Sequence, residues 1–183
     1  MSDLSLPPLT LLPETVRGEP FAWPSPPFAS YPAPVCQMAP EPCDIEGLNG
    51  SVMKARLTNF DPVAGLAQIQ TPPARTTMPL RFSQFRRLAL ATSLTPLIAP
   101  AAAGADPHAA ALASRPAVAY RVRLKTGPAA EGLTIGHVDN ETGLFLFEPV
   151  DTLGAVRRVF IPREAIESFE MGTLIGDVLV AQN

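Results

Sequence analysis

Proline decides most of what this chain can become. Twenty-two of its 183 residues are proline, and half of those fall within the first 43. Runs such as Pro24-Ser25-Pro26-Pro27 and Pro32-Ala33-Pro34 donate no backbone hydrogen bonds at the prolines and bias their neighbours to extended backbone. A long helical bundle, a coiled coil and a collagen-like fibre are excluded. Residues 1–43 read instead as an extended proline-rich arm. Four aromatics lie on it, Phe21, Trp23, Phe28 and Tyr31. They are the candidate partner-docking residues, although burial of apolar area favours their docking on the folded body first.

Low complexity returns at residues 93–116, an Ala/Pro-rich linker in which Asp106-Pro107 can cap and start one short helix through Ala113. Between and after these stretches the chain repeats itself. Asp61-Pro62-Val63-Ala64-Gly65-Leu66 is matched by Asp139-Asn140-Glu141-Thr142-Gly143-Leu144. A strand-like run follows each, Met78–Phe85 and Val156–Ile161, and each block closes on a short segment, Gln84–Leu90 and Ala165–Met171. The pattern predicts a β-hairpin in each block, with Asp accepting backbone N–H groups at the turn and Gly supplying a positive φ. Val118, Tyr120, Val122 and Leu124 alternate with Arg121, Arg123 and Lys125, the period of a half-buried strand.

The expected fold is therefore mainly β: two small related β-barrel-like units at 44–92 and 117–172, with the arm in front. Each unit is small enough to be marginal alone, so the pair is expected to share a buried seam or be capped by the arm.

The net charge of −3 conceals blocks of −5 over Met1–Asn49, +8 over Gly50–Lys125 and −6 over Thr126–Asn183. Such blocks mark either an anion-binding middle or two parts that attract each other. The basic middle culminates in Arg81-Phe82-Ser83-Gln84-Phe85-Arg86-Arg87. Arg81, Arg86 and Arg87 are the candidate ligand-binding residues, since guanidinium forks suit phosphate and rings suit base stacking. The competing reading turns Phe82 and Phe85 inward and leaves the arginines solvated or paired with the acidic second half. Arg157-Arg158 is a weaker candidate of the same kind. Glu164, Glu167 and Glu170 read as a solvated face.

No chemistry-bearing motif accompanies these residues: neither Gly-x-Ser-x-Gly, a Walker A loop, His-Glu-x-x-His nor an EF-hand loop occurs. Cys36 and Cys43 fall outside the usual zinc spacing, and two cysteines make no disulfide framework. No metal, no cofactor and no enzyme activity are expected. The opening residues are not read as a secretory leader, and no unbroken apolar run reaches the roughly 18 residues of a membrane-spanning helix. The expected setting is cytoplasmic.

Two resemblances add to this. Val118–Gly127, the Asp139–Gly143 hairpin and Val159–Ile166 resemble a small Sm-like or PilZ-like barrel. PilZ domains take cyclic di-GMP through Arg-x-x-x-Arg and a later Asp/Asn-x-Ser-x-x-Gly. Arg81 and Arg86 are one residue too far apart for the first motif, and Asp139–Gly143 lacks the serine and spacing of the second. Separately, Met171–Asn183 (Met-Gly-Thr-Leu-Ile-Gly-Asp-Val-Leu-Val-Ala-Gln-Asn) resembles the opening of the N-terminal helical module of type II secretion and type IV pilus assembly ATPases. That likeness implies a C-terminal helix beginning at 173–183, with an apolar stripe of Leu174, Ile175, Val178, Leu179 and Ala181. It also implies a protein partner, the assembly ATPase or its platform. Some members bind cyclic di-GMP through a basic residue just before the Leu-Gly pair; Leu174 stands there, so that activity is not carried over. The expected function is a non-catalytic regulatory or docking region of such an ATPase. The alternative is a nucleotide- or RNA-binding barrel module using residues 81–87.

Overall fold

The computed structural model of the chain describes residues 20–97, 116–175 and 178–181, with side chains through Gly172. The expected helix at Asp106–Ala113 lies outside the described residues. Two short strands of the arm come first, β1 (Ala22–Trp23) and β2 (Val35–Cys36). The first unit follows as β3 (Glu41–Gly47), β4 (Val52–Asp61), β5 (Leu66–Gln70), β6 (Met78–Arg81), a 3-10 turn at Phe82–Gln84, and β7 (Phe85–Leu90). The second is β8 (Val118–Leu124), β9 (Ala130–Thr134), β10 (His137–Asp139), β11 (Gly143–Pro149), β12 (Val156–Pro162), a 3-10 turn at Arg163–Ala165, and β13 (Ile166–Ile175), with β14 (Val178–Ala181) after it.

Both units follow one plan. In the first, β3, β4, β5 and β6 pair in succession and β7 returns to β3. In the second, β8 pairs with β9, β10 with β11, β11 with β12, and β13 returns to β8. Each unit places its 3-10 turn between fourth and fifth strands. The one long second strand, β4, has become β9 and β10, broken around Ile135-Gly136. The arm explains the break: a Cβ on Gly136 would sit 3.2 Å from Pro27 Cδ, where the arm crosses. Neither unit closes into a barrel. They open into each other instead, because β12 pairs with β7 and makes one eight-stranded sheet through both units.

The repeated hairpins occupy equivalent corners, with Asp61 opposite Leu66 and Asp139 opposite Leu144. Their turn chemistry differs. Asp61 Oδ1 accepts from Ala64 N (2.9 Å), and Gly65 takes φ +65°. In the second hairpin Asn140, not Asp139, accepts from Thr142 N (3.0 Å) and Gly143 N (3.2 Å). Asp139 is freed to pair with Arg163.

Two boundaries move. The first unit begins at Glu41 rather than residue 44, because Cys43 alternates with Ile45 into the core. The C-terminal helix is replaced by strand, as β13 runs through Ile175 and β14 pairs back along it. A short, nearly continuous apolar run satisfies the helical and extended periods alike. The β-branched Thr173, Ile175, Val178 and Val180 favour the extended form.

The core is aromatic and shared. Trp23, Phe60, Phe82, Phe85, Phe145 and Phe160 are buried in one cluster drawn from the arm and both units. Tyr31 is buried in another cluster with Ile135, Phe147 and Val156. Its hydroxyl donates to Gly154 O (2.6 Å). The arm thus caps the seam between units too small to bury such faces alone. Among the described residues no helix is long and apolar enough to cross a membrane.

Candidate functional site

The basic segment 81–87 lies at the junction of the units, and the alternation of β7 separates its members. Phe82 and Phe85 are buried, so the arginines are not interleaved with accessible rings. Arg86 runs inward and is only 6% exposed. Its Nη2 pairs with Glu46 of β3, while Nε and Nη1 have no acceptor among the described groups. Its guanidinium lies against two turns, with Nη2 3.3 Å from where a Cβ on Gly50 would stand. A Cβ on Gly127, in the β8–β9 turn, would overlap Nη1. Arg86 therefore bridges the units as a structural cation.

Arg87 points to the other side of β7 and donates from Nη2 to both oxygens of Glu148 on β11 (2.8 and 2.9 Å). The same carboxylate accepts from Arg157 Nη2 (2.7 Å) and the Tyr120 hydroxyl (2.6 Å). Four strands, β7, β8, β11 and β12, thus meet at one carboxylate. Burial alone would raise its pKa, but Arg87, the Tyr120 hydroxyl and Arg157 hold it below the usual carboxylate range. Burial first, then the Glu148 charge, pushes the Tyr120 phenol up. Arg158, the neighbour of Arg157, pairs with Glu41 (2.5 Å) and stands over the Trp23 ring, 6.0 Å from its centroid.

Arg81 is the exposed member of the candidate set. It borders a cleft of about 290 Å³ lined also by Gly65, Phe82, Ser83 and Glu164, where the 3-10 turns of the two units approach. The structure does not bring Arg81, Arg86 and Arg87 to one surface. Of the aromatic candidates, Trp23 is 1% exposed and Tyr31 5%, while Phe21 and Phe28 are half-buried against the body. Phe21 packs against Phe60 with the rings tilted by 43°, at 4.8 Å between centroids.

Sequence reasoning missed the acceptors, Glu46, Glu148 and Glu41. The charge blocks hinted at attraction between the parts, but only the register of β3, β7 and β11 tells which carboxylate meets which arginine. Cys36 is exposed and Cys43 buried, and both are free. Burial pushes the Cys43 thiol up to about 12, leaving it a protonated core residue at neutral pH. No group of three His, Cys, Asp or Glu side chains among the described residues is placed to hold a metal ion.

The Gly127 contact yields a sharp expectation. Gly127 has φ +81°, so Gly127→Ala adds left-handed strain and an overlap with Arg86, destabilising by about 1–3 kcal/mol. In Arg86→Ala the overlap is gone, so the double variant should cost clearly less than the sum of the two single changes in urea unfolding.

Fold and seam together define a class: a two-unit antiparallel β protein, strapped by a proline-rich arm and tied by charge pairs across its seam. No known protein family, curated protein or solved structure matches the chain.

Proposed function

We propose that this chain is a non-catalytic regulatory or docking region serving a secretion or pilus assembly ATPase. One observation carries the docking half of this reading. Two of the three arginines a nucleotide or RNA reader would use are engaged inside the protein, Arg86 by Glu46 and Arg87 by Glu148. The groups left facing outward are strand edges, at β6, β9, β10 and β14, and outer sheet faces. Those surfaces suit contact with another protein rather than enclosure of a small molecule. The 290 Å³ cleft beside Arg81 lies at the lower limit of ligand pockets, about 300 Å³, and has Glu164 on its rim to repel phosphate.

The ATPase half rests on the likeness of Met171–Asn183 alone. Strand in place of helix over Val178–Ala181 sets this chain apart from the helical module it resembles. The role proposed for it is to present a rigid β surface to the ATPase or its platform, with the nucleotide chemistry residing in that partner.

The test mixes the purified chain with a secretion or pilus assembly ATPase and follows co-elution and calorimetry. A complex with micromolar or tighter affinity, unchanged in Arg81→Ala, is the expected result. The docking reading fails if cyclic dinucleotide raises the melting temperature of the wild type and not of Arg81→Ala, because ligand at about 100 Kd adds ~2.7 kcal/mol to a true binder. Absence of any complex removes the ATPase.

A further inference from the structure

The ion pairs of this protein are unevenly placed. Six pairs among the described residues engage Arg86, Arg87, Arg121, Arg157, Arg158 and Arg163. Lys54, Arg56 and Arg75 enter none of these, and all three are exposed.

Register gathers Lys54 and Arg56 on one face, and Arg75 lies in the loop beside it. Lys54 and Arg56 are two residues apart on β4, with Ala55 and Leu57 buried on the opposite side, so their side chains leave the sheet together, about 7 Å apart. Arg56 faces Gln70 across the β4–β5 ladder. Gln70 Nε2 in turn donates to Arg75 O (3.0 Å) and Thr77 Oγ1 (3.3 Å), which ties the loop carrying Arg75 to the same row. Two carboxylates of β3 share the face, Asp44 opposite Lys54 and Glu46 opposite Val52, and Glu46 is already taken by Arg86. The remaining neighbours there, Pro42, Thr58 and Gln68, are neutral.

The second unit offers a comparison from within. Arg123 and Lys125 also stand two apart and exposed on or just after β8. Their surroundings are more acidic: Arg121 on the same side of β8 is flanked by Glu131, its ion-pair partner, and by exposed Glu170, and Glu167 is also exposed on β13. On β4, by contrast, Lys54 and Arg56 have one unpaired carboxylate set directly across from them, Asp44.

We propose that the outer face of β4, with Lys54, Arg56 and Arg75, is a docking surface for an acidic polypeptide segment. Complementary charge identifies the occupant, since carboxylates supply what this face lacks and the seam arginines already have. No aromatic side chain stands on the face, so single-stranded nucleic acid finds no ring on which to stack its bases. The surface deepens the docking reading without depending on which protein the partner is.

The probe is a labelled peptide of about 16 residues alternating Glu and Gly, titrated with the full chain by fluorescence anisotropy at low and at physiological salt. Binding should weaken as salt rises. Lys54→Glu with Arg56→Glu should weaken it about tenfold or more, ~1.4 kcal/mol. Arg123→Glu with Lys125→Glu should stay within about twofold of wild type. A Lys54→Gln, Arg56→Gln variant repeats the measurement with less charge change, and circular dichroism checks that each variant is folded. No peptide binding at low salt, or equal loss in both charge-reversed pairs, overturns the proposal. So does tighter binding of a uridine oligonucleotide of the same length, or a sedimentation shift showing that a second copy of the chain takes the face. If ATPase capture persists in Lys54→Glu, Arg56→Glu, this surface is wrong while docking itself stands.

Discussion

Trp23→Ala should destabilise the protein by about 3–5 kcal/mol and lower both units in a single transition. The indole is 1% exposed and packs against Phe60 of the first unit at 4.8 Å and Phe145 of the second at 5.7 Å between centroids. It therefore belongs to neither unit and fills the space between them. Deleting it removes transfer free energy and leaves a void that two rigid sheets cannot collapse around. The indole nitrogen has no acceptor among the described groups, so no hydrogen bond is lost with the ring. Trp23→Phe should accordingly cost much less than alanine, and that ordering separates packing from polar effects. Urea unfolding followed by circular dichroism measures both. Two resolved transitions in the wild type would show that the units fold separately and that the arm is no shared element.

The same residue shows how far the sequence can be read. Four aromatics on a proline-rich arm call for burial, because so much apolar area is unfavourable in water. Where they are buried follows from topology, since the arm can only fill a seam that exists once β12 has paired with β7. Local patterns were legible in the same way. The alternation of β8 appears in the burial of Tyr120, Val122 and Leu124, and the two Asp-to-Leu corners take equivalent places in their units. Period 2 and turn chemistry are properties of a few adjacent residues, so one sequence suffices to find them.

The basic segment was legible only in part, for the opposite reason. Its inward phenylalanines follow from spacing. The fate of its arginines depends on partners 40 and 61 residues away, Glu46 and Glu148. Phosphate-binding arginines and ion-paired arginines look identical in one dimension, and charge blocks give the sign of an attraction without its register. At the C-terminus the ambiguity lay in the pattern itself, because an unbroken apolar run fits helix and strand alike.

Glu148 carries the largest electrostatic prediction. Replacing it by alanine strips the acceptor from Arg87, which is held in a partly buried site, from Arg157 and from the Tyr120 hydroxyl. Breaking a buried pair by removing one partner costs about 3–5 kcal/mol, because the surviving charge stays desolvated without compensation. Glu148→Gln keeps the shape and one acceptor oxygen but not the charge, so it should recover part of that loss. The protonation linkage fixes the direction with pH. The Glu148 pKa is lower in the folded protein than its ordinary value, so the unfolded chain binds the proton more readily. Its contribution is fully present above the ordinary carboxylate pKa and is lost as pH falls through the depressed folded value. Wild-type stability should drop along that acid limb, and Glu148→Gln should drop less steeply there. Chemical denaturation at a series of pH values reads the two slopes. Equal slopes would show that the charge of Glu148 is not what joins β7 to β11 and β12.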